Sequence, residues 1–233
     1  MRFSLKPFAL SALSALLISP SLHAEELEPP NVSIYADVMF SMAQTKRLTY
    51  HSDDGKGVYQ HGDTDGYRAR VGLRFDDMSH GFWSYGIEGS LVQLANDDKH
   101  LSYDREKPRP DESHISNLAV VKVDGEHSLE LSGFEFAGRA WYDDTMYFRA
   151  GILVHNEKTR LRETRQFYDT NGDSAANTTT TFSTDTKRRA APMLGVGIQY
   201  PIIEGIYVAG EYTFYRMDSK QVDVLSAGVR LVF

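Results

Sequence analysis

Cysteine is absent from the 233 residues. No disulfide framework can brace the fold, no thiolate can serve as nucleophile or metal ligand, and no lipid can be attached to a cysteine behind an export signal. Long apolar runs are also lacking. Residues 8–18 form an apolar stretch broken by Ser11 and Ser14, shorter than the ~17–25 apolar residues that a membrane-crossing helix needs. Positive charge is in deficit, with 25 Lys and Arg against 32 Asp and Glu and a formal net charge of −7, which argues against a nucleic-acid partner. The histidines His51, His61, His80, His100, His127 and His155 are scattered without a spacing that would present two of them to one ion, so no metal and no cofactor is expected.

The beginning of the chain has the pattern of an export signal. Arg2 and Lys6 precede the apolar stretch, and Leu22-His23-Ala24 offers a small-residue cleavage site before Glu25 and Glu26. The expected division is therefore a signal peptide over residues 1–24 and one domain over 25–233. Loss of Arg2 and Lys6 takes the charge from −7 to about −9.

Composition taken alone points the wrong way. A hydrophobic share of 41%, mean hydropathy of −0.40 and 24% charged residues describe an ordinary water-soluble domain. The periodicity says otherwise. Residues 32–43 place Val32, Ile34, Ala36, Val38, Phe40 and Met42 on one face, with Ser33, Tyr35, Asp37, Met39, Ser41 and Ala43 on the other. Residues 67–75 alternate Tyr67, Ala69, Val71, Leu73 and Phe75 with Arg68, Arg70, Gly72 and Arg74. Further alternating segments cover 83–94, 129–142, 146–155, 187–200, 206–217 and 221–233. A chain whose strands carry arginines on one face and large apolar groups on the other suits a closed barrel in a bilayer, where the apolar face meets lipid and every backbone group is paired between strands. The 12% aromatic content, with 13 tyrosines, fits the interfacial girdles of such barrels; Trp83, Tyr142 and Tyr200 mark one set of strand ends.

The connections alternate in length. Residues 76–82, 143–145 and 201–205 are short, as periplasmic turns are; residues 45–66, 95–128 and 156–186 are long and polar, as extracellular loops are; residues 218–220 close the last hairpin. Within the second long segment, residues 118–123 are β-prone and precede Asp124-Gly125, a hairpin-turn signal. These residues are expected to form a protruding extracellular hairpin that continues the third and fourth strands above the membrane, with an edge open to a partner strand. The fold class predicted is all-β, a transmembrane antiparallel up-and-down barrel of about eight strands.

The final strand turns Leu225, Ala227, Val229, Leu231 and the terminal Phe233 to one face. With the export signal, the three short turns and the long surface segments, it makes the chain resemble the small eight-stranded OmpA/OmpX-like outer-membrane barrels, with a looser likeness to barrels of the accessory colonisation factor type. The resemblance implies an outer-membrane location, a narrow or plugged lumen, and roles from adhesion, colonisation and envelope integrity to small-solute passage and lipid A modification. It also implies that Leu225, Ala227, Val229, Leu231 and Phe233 form the signal read by the barrel-insertion machinery.

The candidate functional residues follow from this frame. Asp37, Glu88, Glu135 and Glu211 share the inward face with Arg68, Arg70, Arg74, Arg139, Arg149 and Arg230, a set expected to pair and plug the lumen. A narrow solute pore is the alternative reading. His114-Ile115-Ser116-Asn117 resembles the His-x-Ser-Asn core of outer-membrane lipid A 3-O-deacylases, which would make His114 the base, Ser116 the nucleophile and Glu126 or Glu130 the orienting carboxylate. The pattern departs from that core, because Leu118 follows where a small residue belongs and the motif lies mid-chain in a surface segment; the chain is read as a non-enzyme. Asp169-Thr170-Asn171-Gly172-Asp173 lacks the sixth-position glycine and the distal glutamate of a calcium loop and reads as a turn. Lys187-Arg188-Arg189 stands where a strand leaves the outer leaflet and can meet lipopolysaccharide phosphates. The expected partners are outer-membrane lipid and lipopolysaccharide, the insertion machinery, and a host or surface ligand; the chain is expected to be a monomer.

Overall fold

The computed structural model describes residues 32–45, 48–52, 56–105, 112, 115, 117–217 and 220–233; residues 77–79 and 220 are described in backbone only. The expected signal peptide, and His114 and Ser116, lie outside the described residues. Eight strands close into a ring by antiparallel neighbour pairing: β1 (Val32–Gln44), β4 (Asp63–His80), β5 (Trp83–Arg105), β6 (Leu118–Tyr142), β7 (Met146–Asp169), β8 (Ser174–Ile203), β9 (Ile206–Met217) and β10 (Lys220–Val232), with β1 sealing the ring against β10. Two short strands, β2 (Thr49–His51) and β3 (Val58–Gln60), form a separate hairpin between β1 and β4.

Alternation decides which side of the wall each residue takes. On β1, Ile34, Val38, Phe40 and Met42 point away from the ring, while Tyr35, Asp37, Met39 and Ser41 are buried inside it. The other strands follow suit, leaving Phe40 75%, Ile198 63%, Leu225 63%, Leu194 60% and Phe136 59% exposed on the outer wall. Side chains this large and apolar are stable there only against acyl chains. Below them, Phe82 and Trp83 lie with Tyr142 at ring-centroid distances of 5.9 and 5.2 Å and form part of an aromatic girdle at the turn end.

The short turns fall where the sequence places them. Residues 143–145 join β6 to β7 with Asp143 and Asp144 both in the left-handed region (φ 50° and 52°), the backbone that a tight hairpin of right-twisted strands demands. Aspartate tolerates that region better than most residues because its short polar side chain bonds locally.

The long segments differ from the sequence reading. Most of residues 95–128 and 156–186 is not loop but strand: β5 to β8 run 23, 25, 24 and 30 residues, against 12 or 13 for β1, β9 and β10. Four strands thus continue above the apolar belt as one tall sheet. Polar residues on both of its faces erase the alternation that would have revealed it, while its ladder of backbone hydrogen bonds is unaffected by side-chain polarity. The turn expected at Asp124-Gly125 is absent, because both residues sit inside β6, with Gly125 opposite Leu101 on one side and Glu163 on the other. The glycine serves close packing: a Cβ there would fall 1.7 Å from the Tyr59 hydroxyl of β3. With both neighbours paired, that stretch offers no free edge.

Val229 on β10 lies on the outer wall opposite Val38 and Val208. Val229→Arg is expected to lower unfolding free energy in lipid vesicles by about 2–4 kcal/mol, against under ~0.5 kcal/mol for Thr186→Arg above the belt. Equal, small effects in a urea titration would show that the outer wall does not face lipid.

Candidate functional site: a sealed lumen and the sheet above it

Inside the ring the inward side chains stack in three layers. At the turn end, Tyr35, Trp141 and Tyr147 form a small buried cluster, with Tyr35 edge-on to Trp141 at 5.5 Å. Gly72 and Gly197 face the Tyr35 and Tyr147 rings, where any Cβ would lie 2.2 Å from a ring carbon. The inward glycines are therefore seats for aromatic rings in a narrow bore.

The middle layer is a charge network. Glu211 of β9 is its hub. One carboxylate receives Arg68 at 2.5 Å, Arg149 at 2.6 Å and Arg70 at 3.1 Å, with Arg139 at 3.6 Å, the Thr213 hydroxyl at 2.7 Å and the Tyr147 hydroxyl at 3.1 Å. Glu135 holds Arg149 at 2.8 Å and Arg68 at 3.3 Å and accepts a hydrogen bond from Tyr215. Glu88 holds Arg149 and Arg139, each at 2.7 Å, and accepts from Tyr35 at 2.8 Å. Asp37 holds Arg230 at 2.8 Å and Arg70 at 3.1 Å, and Arg230 also donates to Gln199. All these charged side chains are essentially inaccessible to solvent.

Five arginines face four carboxylates here, leaving one positive charge in excess. Ring faces take up the difference. Arg139 lies 4.2 Å over Tyr147 and 5.2 Å over Tyr35, and Arg230 lies about as close, at 5.0 and 5.1 Å, to the same two rings. The negative face of an aromatic ring attracts a guanidinium most strongly where water is excluded. Arg74, grouped with this set from the sequence, stands apart. It is a quarter exposed at the turn end and pairs with Asp76 at 3.0 Å and Asp144 at 2.6 Å, because it lies two inward positions beyond Arg70, past Gly72.

The third layer closes the outer end. Ala43, Val92, Leu94, Leu129, Leu131, Leu153, Met193, Met217, Val222 and Val224 pack into an apolar roof inside the ring, capped by Leu48 and Tyr50 from the β2–β3 segment. Sequence reasoning missed it. Val222 and Val224 share the inward parity of Ser226 and Arg230, so the signal was present, but parity alone does not tell an inward apolar residue from a weak outward one.

Above the roof, the β2–β3 hairpin lies on the inner face of the tall sheet through a polar chain. The Asp97 carboxylate meets His61 Nδ1 at 3.0 Å, and His61 Nε2 meets His127 Nδ1 at 2.8 Å. His127 is stacked between Tyr50 and Tyr59 at 4.4 and 5.4 Å, and Tyr50 donates to Glu157 at 2.6 Å. The two histidines are 66 residues apart, and only the fold-back of the hairpin joins them. At the top of the sheet, Val121, Val123 and Phe167 form a second small core beside the buried Arg105–Glu112 pair at 2.5 Å. The Asp169–Asp173 segment is a tight turn whose Asp169 Oδ1 accepts the backbone N–H groups of Asn171 and Asp173 at 2.8 and 3.0 Å, with Gly172 at φ 85°. Lys187, Arg188 and Arg189 are exposed on β8, and Lys187 pairs with Asp185 at 2.8 Å. Among the described residues no group of three His, Asp or Glu side chains is placed to hold a metal.

In strand number, up-and-down connectivity and closure, the chain has the architecture of the small OmpA/OmpX-like outer-membrane barrels. No family model matches it, and no curated protein matches it in sequence. Among solved structures it is similar to Ail, the attachment invasion locus protein of Yersinia pestis, crystallised with the heparin analogue sucrose octasulfate, at 12% identity over 87% of this chain and 97% of that one with a TM-score of 0.37. It is also similar to neisserial surface protein A (13%, 87% and 97%, TM-score 0.31) and to the N-terminal barrel domain of Pseudomonas aeruginosa OprF (9%, 86% and 97%, TM-score 0.35). The barrel assignment rests on this chain's own pairing and side-chain placement.

Glu211→Gln keeps the hub's shape and removes its charge, stranding buried arginines. We expect a loss of about 3–5 kcal/mol in unfolding free energy. Glu126→Gln, half-buried on the outer face of the tall sheet, should change it by under ~0.5 kcal/mol. Denaturant titration in vesicles measures both, and a hub variant as stable as wild type would refute the network's role.

Proposed function

We propose that this chain is an outer-membrane surface protein that works by contact, presenting the tall β5–β8 sheet to an external ligand. The observation that carries this reading is a filled interior beneath a tall sheet whose upper β8 edge has no partner strand among the described residues. The charge layer and apolar roof fill the bore, so the chemistry on offer lies on the exterior. Residues 174–192 of β8 pair with β7 on one side, whereas β9 joins β8 only from Met193 onward, opposite Tyr215. Among the described residues that second edge has no partner strand.

Natural edges are usually defended by lysine, proline or a bulge. Residues 177–186 carry four consecutive threonines and Phe182, and their one charged side chain is Asp185; Phe182 is 74% exposed. Such an edge suits strand addition by an extended segment of a partner, with backbone hydrogen bonds giving affinity and alternate side chains giving selectivity. Adhesion or colonisation is the role this surface serves, with lipopolysaccharide meeting the cations at the sheet's base. The reading assigns no catalytic step to the chain.

Two measurements test it. Excising residues 161–183 and joining Arg160 to Thr184, which are opposite each other in the β7–β8 ladder, should leave a heat-modifiable barrel that no longer supports cell adhesion; undiminished adhesion would rule out the sheet as the contact surface. In planar bilayers the intact chain should give no unitary steps. Large stable conductance would favour the small-solute pore instead.

A further inference from the structure

The polar chain under the β2–β3 hairpin has a proton inventory that the contact function does not use. Asp97 accepts from His61 Nδ1, so His61 Nε2 is left as an acceptor that must take its hydrogen from His127 Nδ1, 2.8 Å away. One added proton is accommodated. A protonated His61 donates to Asp97 through Nδ1 and to an unprotonated His127 Nδ1 through Nε2. A second added proton is not, because it places two N–H donors head to head at hydrogen-bond distance with both rings buried, His61 at 0% and His127 at 3% exposure.

We propose that His61 and His127 form an acid-sensitive latch, which holds the β2–β3 hairpin over the barrel roof while the pair carries at most one extra proton and releases it when both rings are protonated. The groups facing the pair are Tyr50 from β2, Tyr59 from β3, Asp97 with its neighbours Asp98 and Lys99 from β5, and Glu157 from β7. Lys99 lies 3.2 Å from Asp97 and so shares the carboxylate with His61. Tyr50 is committed to Glu157, and neither tyrosine can accept a charge at acid pH. Among the described residues Asp97 is the anion hydrogen-bonded to the pair, and Glu157 and Asp98 offset the second proton only in part.

Burial, followed by the charge of His61, lowers His127 to about 4, and burial lowers His61 while Asp97 opposes the shift. The sign follows from a depressed pKa in the closed state. Closure is fully favoured above the free-histidine range near ~6.5 and is lost progressively as pH falls from there toward 4. For His127 alone, the step from about 6.5 to about 4 multiplies the open-to-closed ratio roughly 80-fold at pH ~4.5. Opening lifts Leu48 and Tyr50 off Leu129 and Leu131 and bares apolar surface above the bilayer.

The test is hydrogen–deuterium exchange on the full chain in phosphatidylcholine vesicles, corrected for the pH dependence of intrinsic exchange. Protection over residues 48–52 and 56–62 should fall at least tenfold between pH ~7 and ~4.5, while β9 and β10 hold theirs. His127→Phe keeps a ring between Tyr50 and Tyr59 but takes no proton, and its hairpin should stay protected in acid. Asp97→Asn keeps the acceptor oxygen but removes the charge that lets the closed state hold the first proton, so its opening midpoint should move to higher pH. Should His127→Phe be loose at neutral pH, the wild-type and Asp97→Asn midpoints decide, a shift supporting the latch and coincidence overturning it. A wild-type hairpin equally protected at both pH values, or one that loosens identically in all three proteins, also overturns it.

Discussion

The structure depends on a single enclosure: five guanidinium groups and four carboxylates held in a bore from which both water and lipid are excluded. An isolated charge in that setting would be intolerable, and an isolated pair close to break-even, so stability comes from sharing. Glu211 shows how, with four arginines, one hydroxyl and one phenol converging on two oxygens. Once such a layer exists the register of every strand around it is fixed, since a slip of one residue would turn arginines to acyl chains.

The layers above and below are consequences of that requirement. A charge network stays intact only if solvent cannot dilute it. The aromatic seat of Tyr35, Trp141 and Tyr147 shields one end, and the Leu129 and Leu131 roof shields the other. A barrel filled in this way supports the proposed reading of a function exerted from its exterior. What remains available is the wall that rises past the bilayer, which is why the tall sheet, its unpaired β8 edge and the hairpin lying on its inner face attract the functional reading. The hairpin and the sheet meet through histidines, whose charge state is the softest feature of an otherwise rigid assembly.

The likeness to the small outer-membrane barrels extends to the shape of the fold and leaves this chain's chemistry to be judged on its own residues. Two motifs in the sequence illustrate why. Asp124-Gly125 has the residues of a hairpin turn and is interior strand, because Gly125 is needed as space for Tyr59. Asp169 to Asp173 lacks the glycine and glutamate spacing of a calcium loop and is the backbone turn read from its sequence, closed by the Asp169 carboxylate. At Gly125 a contact from a distant strand overrules the local pattern, whereas the Asp169 turn is closed by its own neighbours and is therefore legible locally.

From the sequence one can read the alternation of Tyr67 to Phe75 with Arg68, Arg70 and Arg74, the apolar face ending at Phe233 and the short turns at 143–145 and 201–205. These determine a barrel, its inside and outside, and which charged residues face inward, because the two-residue period of a strand is local and needs no partner to be seen. The tertiary structure alone decided the rest. It split Arg74 from the network by depth in the bore, turned the polar segments into paired strands, roofed the lumen with inward leucines and brought His61 to His127 across 66 residues. Depth, pairing and convergence are relations between strands far apart in the chain, and the pleat of any one strand carries no record of them.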